Sequence, residues 1–186
     1  MIDGAQLRPP RVYLSMWRAA GLLILTIGIV LAQRRPIGDR SSSVGPAAEG
    51  PSLASNMLAA HNAVRGGVGV PALVWSEQLA GFAQEWANTL AARGQFFHRP
   101  NSRYGENLFE ITGASAAPAE VVNQWASESR NYKYSSNTCH GVCGHYTQIV
   151  WRDTKKVGCA SARSGRSEIW VCNYDPPGNW TGKRPY

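Results

Sequence analysis

Two histidines and two glutamates, His98, Glu106, Glu128 and His145, lie on four separate segments of a chain that holds only four histidines in all. Glu128 is the most telling. It follows Val121, Val122 and Trp125 and precedes Tyr132, at steps of four, three and four from residue 121, so a helix over this stretch aims a carboxylate from its apolar face. A charge in that position is costly unless it is paired or bound to a metal. Glu106 poses a similar question between Gly105 and the apolar run at Leu108, while His98 and His145 offer imidazoles from a loop and from the start of a later element. Three chemistries fit such a set: mutual hydrogen bonding, a divalent cation, or general acid/base work. On spacing alone a satisfied structural role competes with all three. No His-Glu-x-x-His, Gly-x-Ser-x-Gly or phosphate-cradling loop occurs. His61, Asn62 and Asn107 read as structural groups, and His140, between two cysteines, as a surface residue.

The elements that must carry these residues are helical first and strand-like later. A helix is predicted from about Leu53, through Met57, Leu58, His61, Val64 and Arg65, to the stop at Gly66-Gly67. A second begins after Ser76, a plausible N-cap, and sets Leu79, Phe82, Ala83, Trp86 and Leu90 on one stripe before Gly94. A third follows Pro118 and bears Glu128. From Tyr146 to Tyr174 the pattern reads as strand, with Thr147, Ile149 and Trp151 alternating against their neighbours and His145 introducing the run. With no βαβ alternation, the fold class is α+β with a mainly antiparallel sheet.

All four cysteines fall in the last third of the chain. Val157 to Arg163 and Glu168 to Tyr174 form a hairpin pattern around Ser164-Gly165-Arg166-Ser167, and in that register Cys159 lies opposite Cys172, close enough for a cross-strand disulfide. Cys139 and Cys143 are left to close a small loop. Zinc on the cysteines is the weaker alternative.

The first 32 residues place Arg8, Arg11 and Arg18 ahead of a 14-residue apolar run, Ala19 to Ala32, which is shorter than the ~20 residues that span a bilayer. Residues 1–32 are therefore expected to be a signal peptide cut after Ala32 or, as the open alternative, an uncleaved membrane anchor. Residues 33–52 are a Ser/Gly/Pro/Ala-rich linker, and the domain proper is 53–186. The net charge of +7 sits mostly in the first 40 residues, which carry six Arg against two Asp. The remainder has no basic run longer than Lys155-Lys156, so nucleic acid is excluded as the leading partner.

Several motifs together resemble the CAP superfamily of cysteine-rich secretory, antigen 5 and pathogenesis-related 1 proteins: Cys143 through Trp151, Tyr104 through Leu108, Trp125-x-x-Glu128-x-x-x-Tyr132, His61-Asn62-x-x-Arg65, and Cys172 through Asn179. The resemblance covers about residues 53 to 186 and is most marked toward the pathogenesis-related 1 branch. It implies a three-layer α-β-α sandwich with a cleft lined by a tetrad at His98, Glu106, Glu128 and His145. Zinc or another divalent cation would be held by His98 and His145. It also implies an apolar groove for a sterol or other lipid, with roles in defence or host interaction. Where plant-type members carry a third disulfide, this chain has Gly94 and Ser164. The expected function is a monomeric, exported, non-catalytic binding module. The alternative is a metal-dependent hydrolase, a protease or esterase, with Glu106 or Glu128 as the catalytic base. Two smaller features are a Pro-x-Gly-Asn ending, from which some plant members release a peptide, and the sequon Asn179-Trp180-Thr181.

Overall fold

The computed structural model describes residues 52–186. The expected leader, 1–32, and the linker, 33–52 apart from its last residue, lie outside that range. Ser52 belongs to the domain: its hydroxyl accepts from the backbone N–H of Ser55 and caps the first helix. In chain order the elements are α1 (Leu53–Gly67), β1 (Val74–Trp75), α2 (Glu77–Arg93), β2 (Gly105–Thr112), α3 (Pro118–Ala126), β3 (Tyr132–Lys133), β4 (Thr138–Cys139), α4 (Gly144–Ile149), β5 (Lys156–Ser164) and β6 (Ser167–Asp175). Ser76 caps α2, as its type and place predict.

The main sheet runs β1-β5-β6-β2, with β3 and β4 paired separately. The β5–β6 and β2–β6 pairs are antiparallel, whereas the two-residue β1 joins β5 in parallel, which makes the sheet mixed rather than wholly antiparallel. The hairpin register is the predicted one, with Cys159 opposite Cys172. Gly165 turns it at φ 57°, a left-handed conformation that costs glycine little.

β6 is buried from Glu168 to Tyr174, and alternation divides its side chains between two cores. Ile169 and Val171 pack with Leu108 and Ala160 against Ala83, Trp86, Ala87 and Leu90 of α2. Trp170, Cys172 and Tyr174 face the other way, toward Met57 of α1, Val121, Val122 and Trp125 of α3, and Tyr146 and Ile149 of α4. One helix on one face and three on the other make the three layers. α2 lies so close to the sheet that a Cβ on Gly158 would stand 2.2 Å from the backbone nitrogen of Ala80.

Two expectations need correction. The run from Tyr146 to Trp151 is not a strand: its first four residues belong to α4, and the buried residues Tyr146, Ile149 and Val150 stand at helical spacing. The β-branched and aromatic residues that suggested a strand sit on a helix whose entry is stabilised from outside, by Glu128. α3 also stops at Ala126, and Glu128 belongs to the 3-10 turn Ser127–Asn131 that follows it. The turn still carries the carboxylate inward.

Candidate functional site

The Glu128 carboxylate closes on the first turn of α4. Its Oε1 lies 2.6 Å from Nδ1 of His145, and its Oε2 accepts from the backbone N–H groups of His145 at 3.0 Å and Tyr146 at 3.2 Å. α4 has no side-chain cap of its own at Cys143, so this carboxylate supplies the missing acceptor, at the end of the helix where negative charge is favourable. Trp125 stacks on the His145 ring with centroids 6.1 Å apart and planes at 21°, and its indole N–H is held by the Leu108 carbonyl. The imidazole is thereby fixed in place and in tautomer, its Nδ1 proton directed at Glu128.

The second pair is built on the loop after α2 and the start of β2. His98 Nδ1 lies 2.8 Å from Glu106 Oε1, which also accepts from the Arg99 N–H at 3.0 Å; Glu106 Oε2 faces the Asn173 amide at 3.5 Å. Glu106 is 5% exposed and His98 63% exposed, so a buried carboxylate holds a surface imidazole. The bond to Glu106 raises the pKa of His98 above its ordinary value.

Asn107, beside Glu106, couples the pairs. Its amide donates to the His145 carbonyl at 3.1 Å and to the Tyr174 hydroxyl at 3.1 Å. Tyr174 in turn meets His61 Nε2 at 2.9 Å, and His61 Nδ1 meets the Met57 carbonyl at 2.8 Å. A carbonyl only accepts, so Nδ1 carries the proton and the Tyr174 hydroxyl donates to Nε2. Burial lowers the pKa of His61 to about 4 and raises that of Tyr174. The sequence reading of His61 and Asn107 as structural thus describes the mortar behind the site.

The four predicted residues come together as two pairs, His98 with Glu106 and His145 with Glu128. Among the described residues no three of the four offer ligand atoms within 4.8 Å of one another. One other group does: His61 with Cys159 and Cys172. Its sulfurs are joined to each other, as those of Cys139 and Cys143 are, and both nitrogens of its imidazole are engaged, so it is not an open metal site in the oxidised protein. By contrast, Nε2 of His98 and of His145 has no hydrogen-bond partner among the described residues, and each ring is oriented through Nδ1 by a carboxylate. Each imidazole taken singly is oriented as metal-binding imidazoles are.

A cavity of about 380 Å³ opens at Glu128 and His145. Phe96, Leu108, Phe109, Trp125 and Val142 give it an apolar wall, and Phe96 and Val142 remain 47% and 60% exposed at its mouth. The sequence gives no sign of these two, because an exposed apolar loop residue looks like any other until its neighbours are known. Glu106 and His98 do not line this cavity.

The description of the cysteine-rich secretory protein family, CAP, matches residues 58–174. Pathogenesis-related protein 1A of Nicotiana tabacum is 46% identical over 132 residues, 69% of this chain and 78% of the relative. Pathogenesis-related protein 1 of Arabidopsis thaliana is 44% identical over 128 residues, 68% and 78% of the two chains. Among solved structures, Schistosoma mansoni venom allergen-like protein 4 superposes with a TM-score of 0.60 at 27% identity, over 72% of this chain and 93% of that one. The structure of NaASP2 with Zn2+ does so with a TM-score of 0.60 at 25% identity, over 76% and 90%.

Proposed function

The chain belongs to the cysteine-rich secretory protein (CAP) family, and from that membership we infer that it is an exported, non-catalytic binding module that holds a divalent cation through the imidazoles of His98 and His145. One observation carries this reading: both histidines are tied at Nδ1 to a largely buried carboxylate and keep Nε2 for a ligand. The cation would supply a fixed positive charge at the cleft, to which an anionic or polar head group is drawn. Zinc is the ion to test first, since a related protein has been solved with Zn2+. The apolar wall of Phe96, Leu108, Phe109, Trp125 and Val142 suits the hydrocarbon part of a lipid or sterol beside that charge, in a volume within the ordinary range for small ligands.

The non-catalytic reading is supported by how the candidate bases are used. Glu128 already accepts from an imidazole and two backbone N–H groups, and Glu106 from an imidazole and a backbone N–H. Each carboxylate is thus already engaged in orienting its imidazole. Export is supported by the two disulfides and by the apolar N-terminal segment.

The experiment is a calorimetric titration of zinc at pH 7.5, where free imidazoles are neutral, into the protein and into a His98→Ala/His145→Ala variant. Binding that the double variant loses is the expected result. No binding by the parent, or equal binding by the variant, overturns the assignment. The lipid half is read by displacement of a fluorescent sterol, and Val142→Asp is expected to weaken it.

A further inference from the structure

The loop that carries His98 also walls a second cavity, about 490 Å³, against the N-terminal half of α2. Two arginines line it and no carboxylate does. The Arg99 guanidinium lies on Phe82, 3.7 Å from the ring centroid, and the Arg103 guanidinium lies 4.9 Å over Tyr104, while the two rings meet edge to face at 5.2 Å. Phe82 and Tyr104 thus give the cavity two aromatic walls set at 81° to each other, each with a guanidinium against its ring.

These cations are poorly compensated. Arg99 donates to the Phe82 carbonyl at 3.0 Å and faces the Glu85 carboxylate at 3.7 Å, but its Nε is buried with no acceptor among the described residues. Arg103 donates to the Tyr104 hydroxyl at 2.7 Å, and the negative charge that acts on it, Asp175, does not line the cavity. The rest of the wall is neutral and rich in hydrogen-bonding groups: Gln78, Asn101 and Ser102. The loop is built rather than loose, with Asn101 in a left-handed turn at φ 56° and the Ser102 hydroxyl bonded to both the N–H and the carbonyl of Tyr104.

We propose that this cavity binds an acidic carbohydrate, a sugar bearing a carboxylate or a sulfate ester. The guanidinium fork matches either oxyanion in two-point geometry. The aromatic edges and guanidinium planes offer a wall against which the C–H groups of a pyranose ring can pack, and the amide and hydroxyl side chains address its hydroxyls. The volume accommodates a ring or two. This site is the electrostatic opposite of the His/Glu pairs, which would draw a cation, and it does not depend on them.

The test is titration of the whole protein, at about 50 mM salt so that exposed charges are not fully screened, with four ligands: a trigalacturonate, a sulfated disaccharide, a neutral trisaccharide and inorganic sulfate. Either acidic sugar is expected to bind, with the responding arm naming the oxyanion, and the neutral sugar is not. Arg103→Gln is expected to weaken binding roughly tenfold, the loss of one charge-assisted contact, and since Arg103 is exposed that variant keeps the fold. Lys155→Gln/Lys156→Gln, which removes two charges outside the cavity, is expected to leave binding unchanged. Failure of both acidic sugars to bind overturns the proposal. So does inorganic sulfate binding as tightly as the sugars, or a loss as large from the lysine variant as from Arg103→Gln.

Discussion

Glu128 meets His145 twice, at the imidazole Nδ1 2.6 Å from one carboxylate oxygen and at the backbone N–H 3.0 Å from the other. The same side chain therefore orients a candidate ligand and caps the helix on which that ligand rides. Site geometry and local stability are coupled through one carboxylate.

The coupling predicts that Glu128→Gln and Glu128→Ala differ in kind. The amide keeps one oxygen, enough for either the ring or the helix N-terminus but not both, and loses the charge at the helix end. Glu128→Ala leaves three donors without their acceptor. We expect about 1 kcal/mol of lost stability for the amide and about 2–3 kcal/mol for alanine, measured by urea unfolding. Zinc affinity should fall about 10- to 100-fold in both. Unchanged affinity in a folded Glu128→Ala would show that the carboxylate orients nothing of consequence.

The buried His61 makes the protein acid-sensitive. Its pKa is lowered from 6.5 to about 4, so between those values the unfolded chain binds a proton that the folded chain does not. Stability is then full above pH 6.5 and falls as the pH drops, by about 3 kcal/mol at pH 4. His98, whose pKa is raised, has the opposite sign: its contribution is present below pH 6.5 and fades as the pH climbs past its raised value. Unfolding curves from pH 7.5 to 4 in a His98→Asn background isolate the His61 slope. Nitrogen shifts of the His61 ring should report a neutral imidazole protonated at Nδ1 at pH 5. A charged ring there would refute the assignment.

How much of this is legible in the sequence follows from the range of each signal. The ends of α1 and α2 are local, set by Ser52, Ser76 and the glycines, and the Cys159–Cys172 register is fixed by a four-residue turn. The inward aim of Glu128 survives the change from α-helix to 3-10 turn because one turn shifts its direction little. α4 misleads, because Tyr146, Thr147 and Ile149 within it and Val150 and Trp151 just after it are residues that favour strands, and what caps the helix is a carboxylate 17 positions away. The partition of four site residues into two pairs is equally invisible, since it depends on Asn107 and on where β2 crosses the first turn of α4.

The two disulfides should part company under mild reduction. Cys139 is exposed, while Cys159 and Cys172 are 2% and 0% exposed beneath α1 and α3. A dithiol should open Cys139–Cys143 in the folded state and reach Cys159–Cys172 only through global unfolding. Alkylation and mass measurement over time should find the first pair modified well before the second. Removing Cys159–Cys172 by double Ser substitution is expected to cost roughly 3 kcal/mol for its longer loop, against roughly 2 kcal/mol for the short one.

Arg65 tests how far a buried cation can be held without a carboxylate. Its side chain is 0% exposed, and its guanidinium donates to the carbonyls of Pro71 at 2.7 Å, Ile149 at 2.7 Å, Trp151 at 2.9 Å and Thr154 at 3.2 Å. Burial lowers its pKa to about 10, which leaves it charged at neutral pH. Ile149 is the last residue of α4, where carbonyl dipoles favour a cation, and Trp151 follows two positions on. The fork thus clamps the far end of the helix whose near end Glu128 caps, and His145 sits between the two. Lysine carries a point charge with three donors and cannot reach four divergent carbonyls, so Arg65→Lys strands at least one buried acceptor. The expected cost is about 2–4 kcal/mol in urea unfolding, with zinc affinity falling as α4 loosens. If Arg65→Lys stays within about 0.5 kcal/mol of the parent, the span of an ordinary surface change, the clamp does not hold α4.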